Sequence, residues 1–472
     1  MNDSHHHSQM PEKEAPPFYT ARKKIYMRSV TGRFQNWRVA LVVLILGVFY
    51  ILPWLTWNGR PMVLLDIAAR KFYFFGVVFW PQDVIYLTAI LIISAYALFL
   101  FTAIAGRLFC GYACPQTVYT ELLMWIEHAI EGDRNARMKL DAAPWSSRKI
   151  GKKIGKHIIW ILTALWSGIT FVGYFVPIRT LLSQLPFDAS GWSLVFIFLF
   201  GMMVYLFAGI MREQVCKYMC PYARFQSVMF DHDTMIVTYD AGRGEPRGAH
   251  SKKKQNIPLG DCVDCALCVH VCPTGIDIRD GLQYECIGCG ACIDACDSVM
   301  KKMNLPVGLV RYATENGMKY GYTKSQIRRK VFRPRILVYI GILAVVVAVL
   351  LFSLLSRNPL RVDVLRDRGV MAREAAPGQI ENVYRLQIMN TEEAAHTFRI
   401  KVEGLPGIRI SDPVEPVALG SGDVRMVPVA VRFELPRDGY EEGMYPILFI
   451  VEALDKEGMK RAEKSTFMVP NN

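Results

Sequence analysis

The sequence predicts a multi-domain membrane protein: a five-helix transmembrane bundle, a cysteine-rich domain between the fourth and fifth helices, and a C-terminal β-sandwich. Three observations predict it. Five apolar stretches of roughly bilayer-spanning length run from Arg38 to Trp57, Val84 to Gly106, His157 to Pro177, Trp192 to Met211 and Ile336 to Leu355. Eight of the 12 cysteines crowd into residues 262–296. From Arg357 onward, short runs alternate apolar and polar residues between turn signals. With 52% hydrophobic and only 21% charged residues, against a charged share of about 25% in ordinary soluble chains, a soluble single-domain enzyme is excluded. The expected boundaries are 1–37 for an N-terminal tail, 38–235 for four transmembrane helices, 236–335 for the cysteine-rich domain with its core at 259–298, 336–356 for the fifth helix and 357–472 for the last domain.

Loop charges set the expected orientation. Seven Lys/Arg precede the first span, including Arg22, Lys23, Lys24, Arg28, Arg33 and Arg38, while Gly59 to Asp83 holds only Arg60, Arg70 and Lys71. Nine lie between Arg107 and Lys156, and Arg328, Arg329, Lys330, Arg333 and Arg335 precede the fifth span. The segment from Arg357 carries 16 Lys+Arg against 18 Asp+Glu, a net of −2, which leaves +15 of the total +13 before it. Basic residues retained on the cytoplasmic side account for this asymmetry without nucleic acid as a partner. The N-terminus and the cysteine-rich domain are therefore expected in the cytoplasm, and the last domain outside it. The first apolar run begins near Trp37 with no small-residue cleavage site, so no signal peptide is expected. Phe72 to Trp80 is apolar but too short to span, and reads either as an interfacial or re-entrant segment or as core packing.

The last domain reads as strands. Tyr384, Leu386 and Ile388 alternate, as do Phe398, Ile400 and Val402, then Val427, Val429 and Val431, then Ile447, Phe449 and Val451. Leu405-Pro406-Gly407 and Gly420-Ser421-Gly422 supply turns, and the domain contains no cysteine. His396, Met389 and Met426 read as ordinary strand residues, not metal ligands.

The dense cysteines run Cys262-x2-Cys265-x2-Cys268-x3-Cys272-Pro273 and Cys286-x2-Cys289-x2-Cys292-x3-Cys296. This is the bacterial ferredoxin spacing, in which three close thiolates hold one [4Fe-4S] cluster and the fourth crosses to the other. Cluster one takes Cys262, Cys265, Cys268 and Cys296; cluster two takes Cys286, Cys289, Cys292 and Cys272. Zinc is the competing tetrahedral thiolate reading, but zinc ribbons do not need two interleaved runs, and a cytoplasmic location disfavours disulfides. Cys296 is followed by Asp297 where proline would complete the pattern, which puts the local turn in doubt. Gly288 and Gly290 suit backbone packed on a cluster, and Asp261, Asp264, Asp294 and Asp297 add negative charge that lowers potential.

The other four cysteines form two copies of one pattern: Cys110-Gly-Tyr-Ala-Cys114-Pro115 and Cys216-Lys-Tyr-Met-Cys220-Pro221, each after a basic residue, Arg107 or Arg212. The repeat suggests a duplicated two-span unit whose pseudo-twofold axis brings both pairs together. Residues four apart share a helix face, so either pair can present both sulfurs to one ion. Proline favours the first position of a new helix, which places Cys114 and Cys220 at helix N-termini, where the dipole favours thiolate. Cysteine as a small hydrophobe is the alternative. Glu127, His128, Asp231, His232 and Asp233, beside the motifs, read as solvated interface groups. His5, His6 and His7 with Met1 and Met10 read as a polar tail, a copper-capturing role being the alternative.

The order of spans, Cys-Gly-Tyr-Ala-Cys-Pro-Gln at 110–116, Cys-Lys-Tyr-Met-Cys-Pro-Tyr-Ala-Arg-Phe-Gln at 216–226, Gly-Glu-Pro-Arg at 244–247 and Cys-Pro-Thr-Gly-Ile-Asp-Ile-Arg at 272–279 resemble the FixG/CcoG/RdxA family of cytochrome c oxidase accessory proteins. The resemblance covers nearly the whole chain and implies an immunoglobulin-like C-terminal domain. It implies a multi-pass protein of the bacterial inner membrane that supports assembly of a cbb3-type oxidase as a cupric reductase, turning Cu(II) into Cu(I). Two [4Fe-4S] clusters are then cofactors, copper is substrate or ligand, and Cys110, Cys114, Cys216 and Cys220 are its candidate catalytic and copper-binding residues. Partners implied are membrane lipid, oxidase subunits or copper chaperones, and an electron donor that the sequence does not name; a second copy of the chain is a further candidate. No Gly-x-Gly-x-x-Gly dinucleotide motif is present. Two other classes fit the same sequence: a quinol-linked electron conduit and a non-catalytic oxidase assembly chaperone.

Overall fold

The computed structural model describes residues 24–249, 259–366, 372–376, 378–392, 394–412, 414–434 and 442–470. The histidines and methionines of the N-terminal tail, His5, His6, His7, Met1 and Met10, lie outside them. Among the described residues five helices are long and apolar enough to cross a membrane: Arg33–Trp54, Pro81–Ala105, Ser147–Val172, Gly191–Met211 and Pro334–Leu355. They are called spans one to five below. Span three begins ten residues before the apolar run does. Ser146 Oγ caps it by accepting the Lys149 N–H at 3.3 Å, and its first turns carry Lys149, Lys152, Lys153 and Lys156 beyond the apolar length.

Spans three and four pack directly on each other because small residues let the backbones meet. A Cβ on Gly168 would lie 2.2 Å from the Ile197 carbonyl oxygen, and one on Gly201 would lie 3.0 Å from that of Ala164. Gly168→Val is accordingly expected to cost about 1–3 kcal/mol, the usual range for overpacking, read as a lower melting temperature of the detergent-solubilised protein. Span two pairs instead with span five, where the Tyr86 hydroxyl meets Ser353 Oγ at 3.2 Å. The two halves of the sequence repeat are thus packed differently: three against four, but two against five.

The segment from Phe72 to Trp80, read above as interfacial, re-entrant or core, is part of a three-stranded antiparallel sheet of Val63–Asp66, Lys71–Phe74 and Val77–Phe79. Val78 and Trp80 are buried against Met389 of the C-terminal domain, so the end of the segment is core packing, while Phe74 and Phe75 are exposed. Asp83, at the start of span two, is buried between Arg357 at 2.6 Å and Arg361 at 2.5 Å. That ion triad clamps spans two and five to the C-terminal domain.

In the C-terminal domain the four predicted alternating runs lie inside strands Gln379–Asn390, His396–Glu403, Val424–Glu434 and Gly443–Ala453. They belong to two antiparallel sheets, one of five strands and one of four. Tyr384, Leu386 and Val431 from the first share one buried core with Phe398, Phe449 and Val451 from the second. His396 sits between Asp455 (2.8 Å) and Glu392 (3.1 Å) and shares a hydrogen bond with each.

At the other end of the spans, strands Ile236–Tyr239 and Val310–Ala313 pair beside helices Leu267–His270 and Ala291–Lys302, and the cysteine-rich loops pack on them. Cys296 lies within the helix Ala291–Lys302. The turn that a following proline would have made is therefore absent, and Asp297 accepts the Gly308 N–H at 2.8 Å instead.

Candidate electron-transfer site

Each Cys-x3-Cys pair begins at a break in the backbone. Gly106 (φ 56°, ψ −120°) and Arg212 (φ 45°, ψ −109°) stand four residues before Cys110 and Cys216 and share one rare conformation. The duplication is therefore visible in dihedral angles as well as in letters. Glycine adopts that conformation freely, whereas arginine must be held in it. Arg212 donates to the Gly209 carbonyl at 2.9 Å and to Glu127 at 2.8 Å, and its guanidinium lies over Trp160.

The two sulfurs of a pair do not share one helix face, as the spacing suggested. Cys110 lies in the short helix Leu108–Tyr112 and Cys216 in the π-helical turn Val215–Met219, while Cys114 and Cys220 are extended residues that open the helices Pro115–Glu131 and Pro221–Met229. Proline does start those helices, as expected. The expected depression of the Cys114 thiol is not realised: burial raises it, against the opposing N–H groups of Gln116 and Thr117. Burial likewise pushes Cys110 up to about 12 and Cys216 to about 11. The two pairs are nonetheless neighbours: Cys114 and Cys216 lie within electrostatic reach of Cys110, and Cys220 within reach of Cys114 and Cys216.

The dense cysteines fall into two groups. Cys262 and Cys265 neighbour Cys268, and Cys262 and Cys268 neighbour Cys296; Cys272 neighbours Cys286, Cys289 and Cys292, and Cys268 reaches Cys292 across the two groups. Cys272, Cys286, Cys289 and Cys292 line one cavity, at whose edge Cys268 of the other group also lies. Among the described residues no three Cys, His, Asp or Glu side chains converge closely enough to hold a single ion. The donor set of the dense groups fits two cubanes, since its eight thiols supply one for each iron in two interleaved runs of ferredoxin spacing. The membrane-side cysteines also neighbour one another without converging.

Both regions meet at Gly111. A Cβ there would lie 2.8 Å from the Ile287 carbonyl oxygen and 2.9 Å from Cys289 Cα. Cys110 packs into the same apolar cluster as Ile287 and Cys289, and the Tyr112 hydroxyl donates to the Cys289 carbonyl at 3.0 Å. Gly288 and Gly290, expected to face a cluster, have φ of 64° and 74° and turn their missing side chains toward the Arg107 backbone and the Phe34 ring.

Several charges have roles that sequence reasoning missed. Asp294 caps span one, accepting the Phe34 N–H at 3.3 Å and the Gln35 N–H at 2.8 Å. Asp261 pairs with Arg243, and Asp264 with Arg279. Glu127 is not a solvated interface group: it is 1% exposed and holds Arg212, Arg137 and Lys156 at 2.8, 3.1 and 3.4 Å. His128 and His232 are open to solvent, in keeping with the interface reading. Asp231 and Asp233 are less open and pair with Arg333 and Lys330 respectively. A glutamate eleven residues after Gln116 in an amphipathic helix gave no signal of three cations from other elements.

Family models place the same regions. One for a 4Fe-4S dicluster domain matches residues 211–315, one for a 4Fe-4S binding domain matches 87–153, and one for the Ig-like fold at the C-terminus of FixG matches 350–470. The nitrogen fixation protein FixG of Rhizobium meliloti is 38% identical over 92% of this chain and 91% of its own. The chain belongs to the FixG/RdxA family. Protein RdxA of Cereibacter sphaeroides is 39% identical over 84% of this chain and 85% of its own, and RdxB of the same organism 37% over 85% and 86%. This FixG/RdxA-family member is thus a membrane iron–sulfur protein of electron transport. The 87–153 match contains two cysteines, Cys110 and Cys114, half of what a [4Fe-4S] cluster takes.

Proposed function

We propose that the protein is a cupric reductase that makes Cu(I) for assembly of a cbb3-type cytochrome c oxidase, with single electrons supplied by two [4Fe-4S] clusters. Cys262, Cys265, Cys268 and Cys296 hold the first, and Cys272, Cys286, Cys289 and Cys292 the second. Cys110, Cys114, Cys216 and Cys220 receive copper as substrate, thiolate being the soft ligand that selects Cu(I). Burial raises the Cys110, Cys114 and Cys216 thiols, and a cation bound by thiolate displaces the proton of each thiol that holds it. The ferredoxin-type domain lies in the cytoplasm and the Ig-like domain outside the inner membrane, in keeping with the loop charges. The observation that carries the reading is the Gly111 contact, which seats Cys110 against the Cys289 loop. Cys265 is exposed while Cys289 is buried, which suits electron entry at the first group and exit at the membrane.

Two measurements on anaerobically purified protein test this. Metal analysis is expected to give about eight irons per chain; stoichiometric zinc refutes the clusters, and about twelve irons assigns the membrane-side cysteines to iron instead of copper. A Cu(I)-specific chelator is expected to report multiple-turnover reduction that collapses in Cys262→Ser and Cys286→Ser. Thiols alone reduce Cu(II) once by forming disulfides, so sustained turnover without clusters refutes the mechanism. A quinol-linked conduit is favoured by one feature, a cavity at the cytoplasmic ends of spans three and four where His157, Trp160, Gly209 and Ile210 meet the charged Lys24, Glu127, Lys156, Arg212 and Glu213. Cluster oxidation by a quinone analogue, unaffected by copper, selects that reading.

A further inference from the structure

Three arginines are buried to 5% exposure or less: Arg38, Arg107 and Arg137. Arg38 holds Glu121 at 2.7 Å, and Arg137 holds Glu127 at 3.1 Å. Arg107 has no such carboxylate among the described residues. Its guanidinium donates to the carbonyls of Tyr284, Cys286 and Ala223, and its Nε has no partner. Its backbone lies 3.3 Å from where a Cβ on Gly288 would stand. A buried guanidinium without a countercharge is costly unless something anionic completes it. The anion this position fits is an iron–sulfur centre carrying four thiolates.

We propose that Arg107 is the fixed positive charge that holds the reduction potential of the Cys272, Cys286, Cys289 and Cys292 cluster above that of the Cys262, Cys265, Cys268 and Cys296 cluster. The inference rests on the two-cluster reading above. Two effects compete. Burial opposes adding an electron to an already anionic centre, so the group without an exposed cysteine would by itself be the harder to reduce; a nearby positive charge and hydrogen bonds act the other way. At the first group the corresponding guanidinium, Arg279, is answered by Asp277 at 2.6 Å and Asp264 at 2.5 Å. At the second, Arg107 is unanswered among the described residues, its guanidinium held only by the backbone carbonyls of Tyr284, Cys286 and Ala223. With both clusters bound, that order of potentials would favour passage of one electron from the centre held by Cys262, Cys265, Cys268 and Cys296 to the one held by Cys272, Cys286, Cys289 and Cys292, beside the membrane-side cysteines.

The test is an EPR-monitored redox titration of the full-length protein with dithionite as reductant, with Cys272→Ser and Cys262→Ser used to assign the two signals. In the wild type the higher midpoint is expected on the Cys286 group. Arg107→Gln is expected to make that centre at least tenfold harder to reduce, a fall of about 59 mV or more for a one-electron couple, with the other midpoint unmoved. Arg107→Lys, which keeps the charge, restores most of the difference. An unchanged midpoint in Arg107→Gln at wild-type iron content overturns the proposal. If that variant fails to load, the wild-type order decides, and a higher midpoint on the Cys262 group overturns it. Zinc in place of iron removes the two-cluster reading itself, and the inference with it.

Discussion

Gly111→Val is expected to slow Cu(II) reduction by roughly ten- to a hundredfold, the scale of an ångström-sized misplacement in a reacting geometry, while iron content stays at the wild-type value. Even an alanine methyl would stand 2.8 Å from the Ile287 carbonyl oxygen and 2.9 Å from Cys289 Cα, both backbone atoms that cannot rotate away. The Cys110 loop and the Cys289 loop must therefore separate. Electron tunnelling falls exponentially with separation, whereas the cysteines that hold iron are unaltered. The check is the initial rate of chelator-trapped Cu(I) at equal iron loading. A wild-type rate would show that electrons do not cross at this contact.

Glu127→Gln is expected to destabilise the protein by about 3–5 kcal/mol, the range for removing one partner of a buried ion pair. Burial by itself would raise the Glu127 carboxyl, but Arg212, Lys156 and Arg137 outweigh it and hold it at about 2, against an ordinary value of 4.5. A depressed folded-state value means that its contribution is complete above pH 4.5 and is lost as pH falls through about 2. The melting temperatures of wild type and Glu127→Gln in detergent should therefore differ by a constant amount near neutrality and converge in acid. A gap that widens in acid would contradict the sign. The variant should also release Arg212, whose unusual backbone opens the second cysteine pair, so the Cys216 side is expected to lose copper first.

What the sequence displayed was whatever is written in spacing. Five apolar runs became five spans, and the alternation at Tyr384, Leu386 and Ile388 became a strand because period two is local. The two cysteine groups were separable by count alone. Hidden were features that depend on distant partners. Asp294 looked like charge beside a cluster, yet it caps a helix about 260 residues earlier in the chain. Glu127 looked solvated because its cations come from three other elements. The Cys-x3-Cys spacing implied one helix face, but the proline that follows ends the turn at the second cysteine and separates the pair across a junction. Arg107 was seen as a repeated basic residue, and only its burial without a carboxylate made it chemically distinct.

The measurement that bears most directly on the central claim is a single-turnover mix of reduced protein, freed of excess reductant under anaerobic conditions, with Cu(II). Iron–sulfur absorbance and chelator-bound Cu(I) are followed on one sample. Both signals are expected to change together, with one Cu(I) formed for each electron lost. Cu(I) formed equally fast by protein lacking iron, or iron–sulfur centres that a quinone analogue oxidises and Cu(II) leaves reduced, would contradict it.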